Sequence, residues 1–267
     1  MPLHDMAVHK ERFTAYYRTF ASRFPPESEH AEHLHLKWEH SLKVLDNAEG
    51  ILAAPDLPEA FTSELVRAAQ LAALYHDVAR FEQYVAYQTF RDAESANHGA
   101  WGAKILKRSP AFLAGESPHM AGLVRAGVNM HNRFAIPAGV PRDFRLVTQV
   151  VRDADKIDIL RVISGYVRPG GKRSHVVTWK LVDAPDSWTP SLYEAVLAGR
   201  LGISSQMRYL NDFLLLLCSW VYDLNFPASR GIMRAQGHMD KVLAGLPPGA
   251  AMEKVRAAVG DALGVWG

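Results

Sequence analysis

Apolar side chains recur every three or four positions along nearly the whole chain, the spacing that lines one face of an α-helix. Residues 5–23 carry Phe13, Tyr16, Tyr17 and Phe20 in that register, and Pro25-Pro26 closes the segment. A second helix is expected from about Ser28 to Ala48, with Leu34, Trp38, Leu42 and Leu45 on one face and Gly50 just past its end. After a loop holding Pro55 and Pro58, a helix over about 59–78 presents Leu65, Ala69, Ala72 and Leu74. Residues 81–96 are polar and aromatic without clean periodicity, as in a loop or short irregular helices. Helical pattern returns at 97–107, 117–131 and 142–161. Pro141 suits the first turn of the last of these, where its missing N–H is harmless.

Residues 164–174, with Arg168, Lys172 and Arg173 among glycines, form a basic loop: either a solvated connection or a lid whose cations meet phosphates. Residues 175–182 read as a short strand or extended piece, and about 190–264 as helical runs broken by Gly and Pro. Strand-like alternation is scarce, so the expected fold class is all-α. The expected organisation is a single domain over 1–267, with its core at about 30–165 and a C-terminal helical extension at about 175–267.

Composition removes several function classes. Thirty Lys and Arg against twenty-eight Asp and Glu leave a net charge of +2, which argues against a basic nucleic-acid coat. No dedicated nucleic-acid surface is evident, and the oligomeric state stays open. The one cysteine, Cys218, excludes an intrachain disulfide and a Cys-rich zinc site; in the run Phe213 to Cys218 it reads as a small buried hydrophobe. That apolar stretch, bounded by Asp212 and Asp223, falls far short of the ~20 residues a bilayer requires. The first residues lack the order of a secretory signal, so a cytoplasmic protein without a membrane partner is expected.

Twelve histidines, about twice an ordinary share, are the unusual count. His40 lies in a helical segment, His76-Asp77 at the tail of an uncharged helical run, and Asp153, Asp155 and Asp158 within one short helical stretch; His98 and His131 fall between. Burying Asp and His without partners is costly, and a carboxylate beside an imidazole at the end of an apolar helix calls for a compensating cation. Nitrogen and carboxylate donors without sulfur suit Mn, Fe, Co, Ni, Zn or Mg. His98 and His131 also fit helix-terminal capping roles. Asp153 competes with Asp155 as a ligand and, with Asp158, is otherwise read as orienting ligands or pairing with Arg or Lys. His35 is expected at the surface; His4, His9, His30, His119, His175 and His238 show no partner pattern.

The order His40, His76-Asp77, Asp155, with successive positions spaced 36 and 78 residues apart, resembles the HD superfamily of metal-dependent phosphohydrolases. The continuation Arg80-Phe81-Glu82-Gln83 is similar to that of a bacterial subgroup. The resemblance implies an all-α HD bundle in which His40, His76, Asp77 and Asp155 hold a divalent ion. It also implies that Asp77, His98 and His131 hold a second, as in members with two extra histidines. The implied activity is hydrolysis of a phosphoester or phosphoanhydride of a small molecule, most often a nucleotide, by a hydroxide activated on the metal. Positive partners for the phosphate are expected among Arg80, Arg133, Lys156 and Arg161. Arg80 and Phe81 are expected to begin a loop lining the pocket mouth, where Glu82 and Gln83 could reach a water or leaving group. Two other readings use the same donors: an HD-fold di-iron oxygenase, and a non-catalytic sensing module that keeps metal for structure.

Overall fold

The computed structural model describes residues 6–164 and 181–264, so the basic loop and nearly all of the extended piece expected at 175–182 lie outside the described residues. The described residues form helices joined by turns, and the only ladder contact among them is an isolated parallel bridge between Val182 and Tyr209. The fold is all-α, as the helical periodicity implied. The chain falls into two compact units, Met1–Asp155 and Lys156–Gly267.

The first unit contains α1 (Met6–Ala21), α2 (Glu29–Leu52), α3 (Ser63–Tyr75), α4 (Arg80–Tyr87), α5 (His98–Arg108), α6 (Pro118–Met130) and the part of α7 (Arg142–Ser164) up to Asp155. Its helix starts are written in the sequence. Ser28, Thr62, Asn97 and Ser117 accept hydrogen bonds through their side-chain oxygens from Ala31, Leu65, Ala100 and Met120 N–H, satisfying donors that a helix's first turn leaves free.

Three boundaries differ from expectation. Gly50 does not end α2: Ile51 and Leu52 are buried and hold one more half-turn. The helix α3 stops at Tyr75, which leaves His76 at its C-cap and Asp77 in the following turn. The stretch after it is regular only as far as Tyr87, since α4 buries Phe81 and Tyr84 and ends at Gln88 in the left-handed conformation, φ 54°; beyond it a short 3-10 helix, Asp92–Glu94, sits in loop as expected. Phe81 therefore does not line a pocket mouth. It is fully buried, with the rings of Phe13, Tyr16, Tyr17 and Phe20 centred 5.5, 6.1, 5.7 and 6.2 Å from its own. The aromatic stripe of α1 thus clamps the helix that follows the His-Asp doublet.

Two glycines bring the site-bearing helices together. A Cβ on Gly99 would lie 2.7 Å from Asn132 Oδ1 and 2.8 Å from the Val128 carbonyl, so α5 meets the end of α6 backbone to backbone. A Cβ on Gly127 would meet Ala72 Cβ at 3.0 Å and Val147 Cγ1 at 3.1 Å, packing α6 between α3 and α7. Such close approach leaves no slack for a methyl group in a core packed at crystal-like density.

The second unit holds the rest of α7 and α8 (Pro190–Leu197), α9 (Leu210–Ser219), α10 (Pro227–Gln236), α11 (His238–Ala244) and α12 (Ala250–Leu263). Asp212 organises its entry. The carboxylate accepts from Thr189 N–H and Oγ1 at 2.6 and 2.7 Å and from the N–H groups of Arg208 and Tyr209 at 2.7 and 3.0 Å. Cys218 is fully buried on α9 and burial pushes its thiol up to about 12, the inert apolar role read from sequence. No helix among the described residues is long and apolar enough to cross a membrane.

Candidate metal centre

Helix ends deliver the site. His76 and His131 occupy the C-caps of α3 and α6, His98 is the first residue of α5, and His40 and Asp155 come from the interiors of α2 and α7. Asn47, two turns beyond His40, donates to the Ala154 carbonyl at 3.2 Å and so fixes α2 against α7 beside Asp155. The four imidazoles and Asp77 are buried.

The six residues expected to meet in space do so. Around Asp155 Oδ1, His40 Nε2 lies at 3.0 Å and His76 Nε2 at 3.6 Å, and the two nitrogens are 3.3 Å apart. Asp77 Oδ2 faces the same nitrogens at 3.8 and 3.7 Å. The other oxygen, Oδ1, lies 3.3 Å from His98 Nε2 and 4.0 Å from His131 Nε2, which are 3.0 Å from each other. Asp77 therefore turns one oxygen to each of two neighbouring groups of donors. His40, His76 and Asp155 present atoms close enough to share an ion, and so do His76, Asp77 and His131.

Hydrogen bonding fixes which nitrogen carries the proton. His76 Nδ1 donates to the Ala73 carbonyl at 2.8 Å and His131 Nδ1 to the Val128 carbonyl at 2.7 Å. His98 Nδ1 donates to Asp92 at 2.7 Å. A carbonyl or carboxylate can only accept, so in the neutral rings all three Nε2 atoms carry lone pairs. Burial, with the neighbouring His98 and His76, lowers His131 to about 3, and burial and Arg80 lower His98. Lone pairs on neutral rings are what a divalent ion binds.

This donor set fits a metal. Donors held 2.0–2.2 Å from one ion lie about 3.0–3.6 Å apart, close to the spacings found around Asp155 and Asp77. Asp155 Oδ1 is buried and accepts no well-oriented hydrogen bond, although His40 Nε2 is 3.0 Å away; a cation would satisfy it. Burial would raise both carboxyls, but it is outweighed. Lys37 and Arg80, then His76 and His98, hold Asp77 well below the carboxylate range, and the His40 and His76 imidazoles do the same for Asp155.

The cations expected to meet phosphate occupy different settings. Arg80 is built into the frame: Nε donates to Asp77 Oδ1 at 3.1 Å and Nη1 to Gln83, the Phe90 carbonyl and Asp92 at 2.8, 2.6 and 3.2 Å, while Nη2 faces His98 Nε2 at 3.3 Å. Lys156 pairs with Asp223 at 2.8 Å and Arg161 with Asp158 at 2.6 Å, so Asp158 takes the Arg-pairing role read for it. Arg133 is exposed in the loop after His131, whose carbonyls at 131, 133 and 134 accept from the buried Arg152. Glu82 is turned elsewhere, accepting from Tyr16 at 2.6 Å, Trp101 at 3.0 Å and Arg108. Gln83 binds Asp92, Ser95 and the Ala96 carbonyl.

Two residues escaped the sequence reading. Asp92 receives His98, Arg80, Gln83 and Asn132, and burial notwithstanding, these, led by His98, hold it down to about 2. Lys37 Nζ lies 2.8 Å from Asp77 Oδ2. Its place one turn before His40 was the available signal.

The HD domain family model matches residues 38–160, from two residues before His40 to five past Asp155. No curated protein and no solved structure gives a match. The match spans every residue of the centre, in the order His40, His76-Asp77, His98, His131, Asp155. Residues 38–160 thus match an HD domain, consistent with the HD-domain superfamily, a metal-dependent hydrolase-type family that binds divalent metals.

Proposed function

We propose that the protein is a metal-dependent phosphohydrolase cleaving a phosphoester or phosphoanhydride of a small molecule, a nucleotide being the substrate class that the resemblance implies. The observation carrying this is Asp77, whose two oxygens face two adjoining sets of imidazole nitrogens. In this reading His40, His76, Asp77 and Asp155 hold one divalent ion, and Asp77, His98 and His131 hold a second. Bound divalent ions supply Lewis acidity toward phosphoryl oxygens and a water acidified to near-neutral pKa.

The rest is done by the chain. The carbonyls of Ala73 and Val128 and the carboxylate of Asp92 fix the imidazole tautomers. Arg80, with every nitrogen engaged, acts by holding Asp77 and Asp92 in place. Arg133, on a loop anchored by Arg152, is an exposed cation that could turn to the phosphate. Lys156 would have to exchange Asp223 for substrate to do the same.

The test is to strip the protein of metal, reload it with Mn2+, Co2+, Mg2+, Zn2+ or Fe2+, and screen nucleotides and phosphomonoesters for orthophosphate release. Activity restored by metal, abolished in Asp77→Ala and largely lost in His76→Ala, is expected. Full activity in either variant, or no release with any metal, overturns the reading. Dioxygen-dependent turnover on tightly bound iron would reassign the site to oxidation.

A further inference from the structure

Resting on that reading, we infer that Lys37 is a substrate-contact residue: beside Asp77, its ammonium donates to a non-bridging oxygen of the phosphoryl group bound at this centre. The inference starts from donor supply. Of the cations around the donors, Arg80 spends its nitrogens on Asp77, Gln83, Phe90, Asp92 and His98. Lys37 has three N–H donors and one hydrogen-bond acceptor among the described residues, Asp77 Oδ2 at 2.8 Å. Its side chain is 18% exposed, against 3% for Asp77, so the ammonium stands between the buried carboxylate and solvent.

Its aim is fixed from behind. Nζ lies 5.4 Å from the centre of the Phe90 ring. Phe90 stacks on Tyr84 with centroids 4.9 Å apart, and the Tyr84 hydroxyl bonds His33 Nδ1 at 2.7 Å. Lys37 and His40 are one helical turn apart on α2, so both side chains reach the same face. An ammonium, unlike the planar Arg80 fork, can keep one partner and turn its remaining donors to another.

Charge supplies the reason for an anion. Asp77 is met by Lys37 and Arg80, Asp92 by Arg80, and Asp155 by His40. Each divalent ion added tips that near balance towards positive. The Asp77 oxygen that serves Lys37 is then shared with the ion. A phosphoryl group relieves both excesses, because it brings negative oxygens to the place where Lys37 has unused donors.

The experiment measures orthophosphate affinity of the Mn2+-loaded full chain by calorimetry, with metal content determined in parallel, for wild type, Lys37→Met and Lys37→Arg. The expected result for Lys37→Met is affinity weaker by about tenfold or more at unchanged metal stoichiometry. Lys37→Arg should recover most of that loss. Equal orthophosphate affinity in Lys37→Met and wild type at equal metal loading overturns the inference. So does a defect confined to metal content, with normal phosphate affinity once Mn2+ is raised to saturation, because Lys37 would then serve only to position Asp77. Wild-type protein that binds Mn2+ but no orthophosphate would instead overturn the hydrolase reading itself.

Discussion

Nε2 of His98 and Nε2 of His131 face each other at 3.0 Å, and neither carries a proton, because each ring spends its N–H on a fixed acceptor at Nδ1. Two lone pairs at that distance repel unless a positive charge lies beside both. His76 Nε2 in turn lies 3.3 Å from His40 Nε2. Divalent metal should therefore stabilise the native state strongly. At free metal one hundred times Kd the gain is about 2.7 kcal/mol per ion. Thermal melts with and without chelator check this, and a melting temperature unmoved by chelator and by metal re-addition would refute it.

Asp92 is not itself a proposed metal ligand but holds one, His98, through Nδ1. Asp92→Ala should weaken the second ion by about 10–100-fold while leaving the ion at His40, His76 and Asp155 in place. Metal titrations would then show one tight and one weakened event. Loss of both ions together would mean that Asp92 supports the fold of the whole centre.

Gly99→Ala places a methyl group 2.8 Å from the Val128 carbonyl, which is the acceptor for His131. Either α5 moves off α6 or the His131 bond distorts. The expected cost is about 1–3 kcal/mol of stability together with reduced occupancy at His98 and His131. Denaturant melts combined with metal stoichiometry test both parts. A variant with wild-type stability and two ions would show that the contact yields more easily than the packing implies.

The helices and the six donors were legible because each leaves a local mark: apolar spacing, capping residues, and His or Asp where burial is costly. What the sequence hid were relationships set by tertiary contact. Phe81 looked like part of a pocket mouth because its neighbours are polar, yet the α1 aromatics 61 to 68 positions earlier bury it. Arg80 looked available for phosphate because nothing local shows that Phe90, Asp92 and His98 fold back upon it. Lys37 and Asp92 carry no motif of their own, since their partners lie on other elements.

His9, which showed no partner pattern, turns out to be fully buried between the Tyr75 hydroxyl at 3.1 Å and Glu116 at 3.2 Å, with Arg67 on the same carboxylate oxygen at 2.9 Å. Burial first, then Arg67 and Arg12, lower its pKa to about 4. The unfolded chain takes up a proton at this residue near the ordinary value of 6.5, whereas the folded protein resists until about 4. The stabilising contribution is therefore complete above pH 6.5 and is lost as pH falls toward 4. At pH 5 the loss from this residue is roughly 2 kcal/mol relative to pH 7. Urea melts of metal-free wild type and His9→Gln at pH 7 and pH 5 should differ by about that amount in their pH dependence, with the variant the flatter of the two. Identical pH dependence in the two proteins would place the acid sensitivity elsewhere and remove His9 as its source.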